Sequence, residues 1–223
     1  MFIVLEGIDG SGKGTQIKLL KEKLELAGKK VKLIDYPRYG KKGAVFVEKY
    51  LNGKYGKDVS AKTASLFYAL DRFDSSFKLK KEYKKYDYIL ANRYVSSNMV
   101  HQAGKIKGKD EKKRLKKIDN FLDWLIELEF DILEIPIPDK VIFLDVKPLV
   151  ANKLVEKKEK RAYIKGDKNK DLHEEDENHI KDAYNTAIYI AKKYDWTVID
   201  CVKNDEILEK EIITEMILKE ILP

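Results

Sequence analysis

The stretch Gly7-Ile8-Asp9-Gly10-Ser11-Gly12-Lys13-Gly14-Thr15-Gln16 decides the fold of this chain. It follows the apolar run Phe2-Ile3-Val4-Leu5, which reads as a buried strand. It precedes Ile17, Leu19, Leu20 and Leu24, spaced as one face of a helix. Strand, glycine-rich turn, lysine and helix in that order make a phosphate cradle. Glycines let the backbone curl with its amide hydrogens pointing inward. The helix start adds partial positive charge and Lys13 a full one. A turn with only a structural job has no need of the Gly12-Lys13 pair.

One departure narrows the reading. A Ser or Thr usually follows the lysine and ligates magnesium, but here that position is Gly14, with Thr15 next. The Gly-Lys-Gly-Thr run resembles that of adenylate kinases and other nucleoside monophosphate kinases, and points away from GTPases and motor ATPases.

The chain has 223 residues, 43% of them hydrophobic and 37% charged, which suits one α/β domain with a sizeable core, residues 1–223. It holds no run of about 18 apolar residues, so no membrane span is expected. The first strand starts at once, so no signal peptide is expected. A lone Cys201 reads as a packing residue, consistent with a cytoplasmic protein. The net charge of +7 raises the question of nucleic acid. The lysines alternate with glutamates, however, as on a solvated surface, and a positive field also gathers small polyanions. Small-molecule nucleotides are the expected partners, with neither nucleic acid nor membrane.

Strand-like runs fall at residues 2–5, 31–34, 88–90, 141–144 and 197–199. Helical patterns fall at 14–26, 44–52, 62–84, 95–103, 111–130, 148–159, 175–193 and 206–222. This alternation predicts a doubly wound, five-stranded parallel sheet covered by helices on both faces, with ligands at the carboxyl ends of the strands. Residues 157–171 break the pattern. They carry seven basic residues, Lys157, Lys158, Lys160, Arg161, Lys165, Lys168 and Lys170, and read either as a solvated loop or, beside a phosphate cradle, as a basic lid.

Three further groupings follow strand ends or line a helix. Asp35-Tyr36-Pro37-Arg38-Tyr39-Gly40 sets an arginine among aromatics, suited to a phosphate next to an apolar wall. Tyr68 and Arg72 lie four apart on one helical face, where a ring can stack on a base and a guanidinium can donate to its carbonyl. The alternative is a core Tyr68 and an Arg72 paired with a carboxylate. Asn92-Arg93-Tyr94-Val95-Ser96-Ser97-Asn98-Met99-Val100-His101 brings Arg93 to a strand end and Asn98 within reach of a pyrimidine edge. His101 reads as a pocket wall near the sugar rather than a base, because phosphoryl transfer depends on positioning and charge.

With these residues in view, the chain resembles the thymidylate kinases nearly end to end. The matching segments are the cradle with Asp9, Tyr-Pro-Arg-Tyr-Gly, Leu-Phe-Tyr-Ala-Leu-Asp-Arg, Asn-Arg-Tyr-Val-Ser-Ser-Asn, and Ile135-Pro136-Ile137-Pro138-Asp139. The resemblance implies transfer of the γ-phosphoryl group of ATP to dTMP, giving dTDP and ADP, with Mg2+. It assigns the ATP phosphates to Lys13 and to the loop at Gly7, Gly10, Ser11, Gly12, Gly14 and Thr15. Asp9 falls near the dTMP 3′-hydroxyl and magnesium, and Arg38 and Arg93 hold the monophosphate. Tyr68 stacks on thymine with Arg72 and Asn98 at its polar edge, Tyr36 and Pro37 border the methyl group, and Ser97 and His101 complete the pocket. Since Gly10 and Ser11 supply no basic group, the lid arginine Arg161 becomes the transition-state cation, and Glu174 falls in the lid-end cluster that contacts nucleotide.

The family normally has Asp where this chain has Asn92, and Tyr or Phe where it has His101. These departures predict a weaker hold on magnesium and a looser sugar pocket. The rival readings are a kinase with another or broader pyrimidine acceptor, and a weakly catalytic nucleotide-binding protein. Family members are usually homodimers, for which Phe67, Phe73, Phe77 and the Phe121-Trp124-Leu128 stripe offer either an interface or core.

Overall fold

A computed structural model describes the backbone at residues 1–56, 58–163 and 177–222, and the side chains of these residues outside 156–179. The chain runs β1 (Phe2–Glu6), α1 (Lys13–Leu26), β2 (Val31–Asp35), α2 (Val45–Leu51), α3 (Ala61–Glu82), β3 (Tyr88–Asn92), α4 (Val95–Gly104) and α5 (Glu111–Ile126). A π-helical turn, Glu127–Ile132, extends α5. Then come β4 (Lys140–Asp145), α6 (Pro148–Tyr163), α7 (Glu177–Lys193), β5 (Thr197–Asp200), the short strands β6 (Val202–Lys203) and β7 (Glu206–Ile207), and α8 (Lys210–Ile221).

The main sheet is parallel, in the order β2-β3-β1-β4-β5, as the alternating pattern predicts. β1 is central and fully buried, which explains its unbroken apolar run. Helices cover both faces, and the core runs from Phe2, Leu5, Leu90 and Phe143 to α1, α4, α7 and α8. Among the described residues, α3 and α5 start on side-chain caps: Ser60 accepts from Thr63 N–H, and Asp110 from Lys113 N–H. The last helix, α8, lies against α1 through a buried polar link. Gln16 Nε2 donates to Lys210 O at 3.0 Å, and Thr214 Oγ1 donates to Gln16 Oε1 at 2.7 Å.

Three features differ from the periodicity. The helix expected from residue 206 begins at Lys210, because the β6–β7 hairpin occupies the residues before it. The polar stretch expected to leave the helical pattern at 157 stays helical through Tyr163, its lysines and glutamates being good helix formers. The rest of that lid expectation, residues 164–171, lies outside the described residues. Of the aromatics left between core and interface, Phe121 is buried, while Trp124 packs against the core in part. Phe67 joins a second cluster with Val47, Tyr50, Leu51 and Ala64, whereas Phe77 is 57% exposed.

Gly10 is needed where it stands. Its φ is +85°, and a Cβ there would lie 2.4 Å from the Ala151 carbonyl oxygen on α6. The loop therefore packs directly on the helix that leads toward the lid segment. Gly10→Ala should lower unfolding stability by about 2–4 kcal/mol, combining overpacking with a left-handed Cβ penalty. Urea denaturation checks this, and a loss within error of zero would show that α6 yields freely.

Candidate active site

The carboxyl ends of β1 and β3 lie side by side, with Leu5 opposite Asn92. One end leads into the loop at residues 7–12 and the other into Arg93. Lys13, the first residue of α1, is buried. Its ammonium donates to Gly7 O at 2.7 Å and Ile8 O at 2.9 Å, with Ser11 Oγ at 3.4 Å. Burial, seconded by the positive charge of Arg93, pulls its pKa down to about 8 against the opposing pull of Asp9, Glu6 and Asp35. Gly14 and Thr15 are exposed on the first turn of α1, and a Cβ on Gly14 would meet no protein atom within 4 Å.

Arg93 sits at φ 65°, a strained value for a side-chain-bearing residue, worth about 1–3 kcal/mol. Its N–H donates to Leu5 O at 3.1 Å, which ties this backbone to β1. The guanidinium pairs with Asp9 through Nη2, contacts His101 Nε2 at 2.9 Å through Nη1, and reaches Ser97 Oγ at 3.5 Å. Arginine only donates, so His101 Nε2 is the acceptor in that contact. Burial alone would depress Arg93, but the carboxylates of Asp9 and Glu6 outweigh it and hold the group above its ordinary range.

Glu6 is a functional candidate that sequence reasoning missed. It is fully buried at the end of β1, where an apolar run masks it. Oε1 accepts from Gly7 N at 2.9 Å, and Oε2 accepts from Ser96 Oγ at 2.8 Å and Ser97 Oγ at 2.6 Å. Arg93 Nη1 lies 3.8 Å from Oε1. Glu6 thus joins the glycine loop, the start of α4 and Arg93.

Arg38 is held by α3. Its Nε donates to Asp71 Oδ1 at 2.9 Å, and its Nη2 to Asp71 O at 2.8 Å and Asp74 Oδ2 at 2.5 Å. Nη1 makes no hydrogen bond among the described residues. Tyr36 departs from the pocket-wall expectation. It is 4% exposed, its ring lies against Tyr94 at 5.6 Å in the core, and its hydroxyl shares a hydrogen with Ser75 Oγ. Pro37 is half-buried. Tyr68 is half-buried beside Tyr50, with ring centroids 6.3 Å apart, and its charge state is felt at Arg93.

Arg72 is 2% exposed and forked onto buried Glu129, with Nε to Oε2 at 2.6 Å and Nη2 to Oε1 at 2.5 Å. This is the carboxylate pairing weighed as its alternative. Asn98 is also buried, its Nδ2 donating to Ser65 O at 3.1 Å and Glu129 Oε1 at 3.2 Å. Asn92 Nδ2 donates to Asp35 Oδ1 at 2.8 Å, and its buried Oδ1 has no partner among the described residues. The side chain of Arg161 and all of Glu174 lie outside the described residues, so the lid assignments stand as sequence expectations.

The parallel sheet, the glycine loop on α1 and the facing arginine from β3 define a P-loop nucleotide kinase. The chain matches the thymidylate kinase family model over residues 5–212. It is 31% identical over 214 residues to a probable thymidylate kinase of Methanocaldococcus jannaschii, covering 96% of this chain and 94% of that one. It is 30% identical over 153 residues to the thymidylate kinase of Mycobacterium tuberculosis, 68% of each chain. A solved thymidylate kinase from Candida albicans shares the fold, with TM-score 0.71 at 22% identity over 99% of this chain and 90% of that one. The chain belongs to the thymidylate kinase family.

The lowered Lys13 pKa gives a pH signature. A polyphosphate binds the ionised ammonium, which is fully present below about pH 8 and lost as pH rises through it. ATP affinity should hold up to about pH 8 and then fall by up to about tenfold per unit. Calorimetric titration from pH 7 to 9.5 checks this, and the step should vanish in Lys13→Met.

Proposed function

We propose that this chain transfers the γ-phosphoryl group of ATP to the 5′-phosphate of dTMP. The observation that carries the reading is the close placement of two cations, buried Lys13 after the β1 loop and half-buried Arg93 at the end of β3, with Asp9 in the electrostatics of both. Phosphoryl transfer asks for positioned positive charge around a transferring group and little covalent chemistry. Lys13 and the loop amides hold the ATP phosphates. Arg93, oriented by Asp9, Glu6 and His101, holds the acceptor phosphate, and Arg38 presents Nη1 from its clamp on Asp71 and Asp74. Tyr68, Asn98 and Pro37 face the nucleoside. Arg161 closes from the lid as the transition-state cation, with Glu174 at the lid end.

The donor set fits magnesium brought with the nucleotide rather than held in a protein cage. Among the described residues no three His, Cys, Asp or Glu side chains gather around a cation position. The oxygens that suit a hard cation here are the Asp9 carboxylate and the unpartnered Asn92 Oδ1. Magnesium supplies charge neutralisation on the phosphates when bound.

We read the protein as a cytoplasmic homodimer. Among the described residues no helix is long and apolar enough to cross a membrane. Along α3, Leu66, Leu70 and Phe77 are exposed and Phe73 half-buried, an apolar stripe at helical spacing that suits a second copy.

The deciding experiment is ADP release with ATP and magnesium, offered dTMP, dUMP, UMP, dCMP, dGMP, AMP and thymidine side by side. Turnover with dTMP well above the rest is expected, with dUMP trailing by roughly 10–200-fold for one methyl group. Equal turnover with all monophosphates, or none with dTMP, would refute the reading.

A second test addresses magnesium. Asn92→Asp alone would set two carboxylates at hydrogen-bond distance, since Asp35 lies 2.8 Å away, and one would stay protonated. The double variant Asn92→Asp with Asp35→Asn keeps the bond and turns a charged oxygen inward. It should lower the half-saturating magnesium concentration several-fold. An unchanged titration would show that residue 92 does not face the ion.

A further inference from the structure

Glu129 has no part in the scheme above, yet it is fully buried and receives three hydrogen bonds. It lies on the π-helical turn after α5, a local widening that shifts the side-chain register. Its partners are Arg72 from α3 and Asn98 from α4, the latter proposed above to face the nucleoside.

The donor and acceptor types fix the orientation of Asn98. Glu129 Oε1 and Ser65 O both accept only, and both lie at one end of the Asn98 amide, at 3.2 and 3.1 Å. The NH2 end must face them. The flipped amide would set its own oxygen against a carbonyl and an ionised carboxylate in a buried site, with both contacts repulsive. Nδ2 is therefore occupied, while Oδ1 accepts from no described residue.

We infer that Glu129 is a positioning residue for base selection, which holds the Asn98 amide so that the pocket presents an acceptor, Oδ1, to the nucleobase. This rests on the reading of the site as a nucleoside monophosphate pocket. The base that satisfies an acceptor there carries an N3–H, as thymine and uracil do. Cytosine carries a lone pair at N3, so its monophosphate would bring two acceptors together. Glu129 also takes Nε and Nη2 of Arg72, while Tyr94 O takes Nη1 at 3.2 Å, so the same carboxylate sets the direction of the guanidinium.

Equilibrium binding of dTMP and dCMP to the wild-type protein, measured by calorimetry without ATP, tests the orientation. A dCMP affinity at least about a hundredfold below that of dTMP is expected, because mismatched buried polar groups are heavily penalised. Binding of dCMP within about threefold of dTMP would overturn the inference alone. Absence of binding by both would overturn the monophosphate-pocket reading and the inference with it. In Glu129→Gln, the new amide must turn an N–H toward Arg72 or Asn98. The ratio of dTMP to dCMP affinity should then fall at least about tenfold. An unchanged ratio in a variant that still melts cooperatively would refute the role of Glu129, whatever its loss of Tm, since a purely structural residue does not alter the choice between two pyrimidines.

Discussion

Two cations drawn out of solvent beyond adjacent strand ends, Lys13 buried and Arg93 half-buried, set the terms for the whole site. Arg93 lowers the tendency of Lys13 to stay charged, and burial works against the charge of both. Unpaired ions in such a place cost several kcal/mol after relaxation, about enough to threaten a marginally stable domain. Glu6 and Asp9 offset that cost. Glu6 does so from inside the sheet and is itself held by one amide and two serine hydroxyls. Arg93 stays charged, while Lys13 is left close to the edge of ionisation. The surrounding fold follows from this arrangement: two parallel strands ending side by side, a helix starting at each end, and glycines where the loop approaches α6.

The same logic recurs one layer further out. Arg38 is aligned by Asp71 and Asp74, and Arg72 by Glu129. In each case a carboxylate on a neighbouring element fixes the direction of a guanidinium. The planar fork of arginine makes such alignment effective in a way a lysine ammonium would not be. The helices around the sheet thus act as a frame that orients charge.

The sequence made the sheet legible because the central strands β1, β3 and β4, largely buried, appear as short apolar runs, and all five runs correspond to strands. It made Lys13 legible because it closes a glycine-rich turn that opens a helix, and Arg93 because it directly follows a strand end. Glu6 and Glu129 were not legible. A buried glutamate looks like any other in a chain this rich in charge, and its significance depends on partners some 30 to 90 positions away. Helix periodicity could not disclose Glu129 either, since it lies on a π-turn that departs from the usual spacing. Tyr36 shows the converse. Its place beside an arginine suggested a pocket wall, but packing against Tyr94 drew the ring into the core.

The contact between α8 and α1 has a consequence for how the protein comes into being. Gln16, on α1 just after the phosphate loop, is fastened by Lys210 and Thr214, nearly 200 positions later. The loop is synthesised well before its anchor. A growing chain can pair β1 with β3 long before α8 exists. During that interval the loop lacks the two hydrogen bonds that steady its helix. The last helix thus completes the support of the first, tying the start of α1 to a segment nearly 200 positions away.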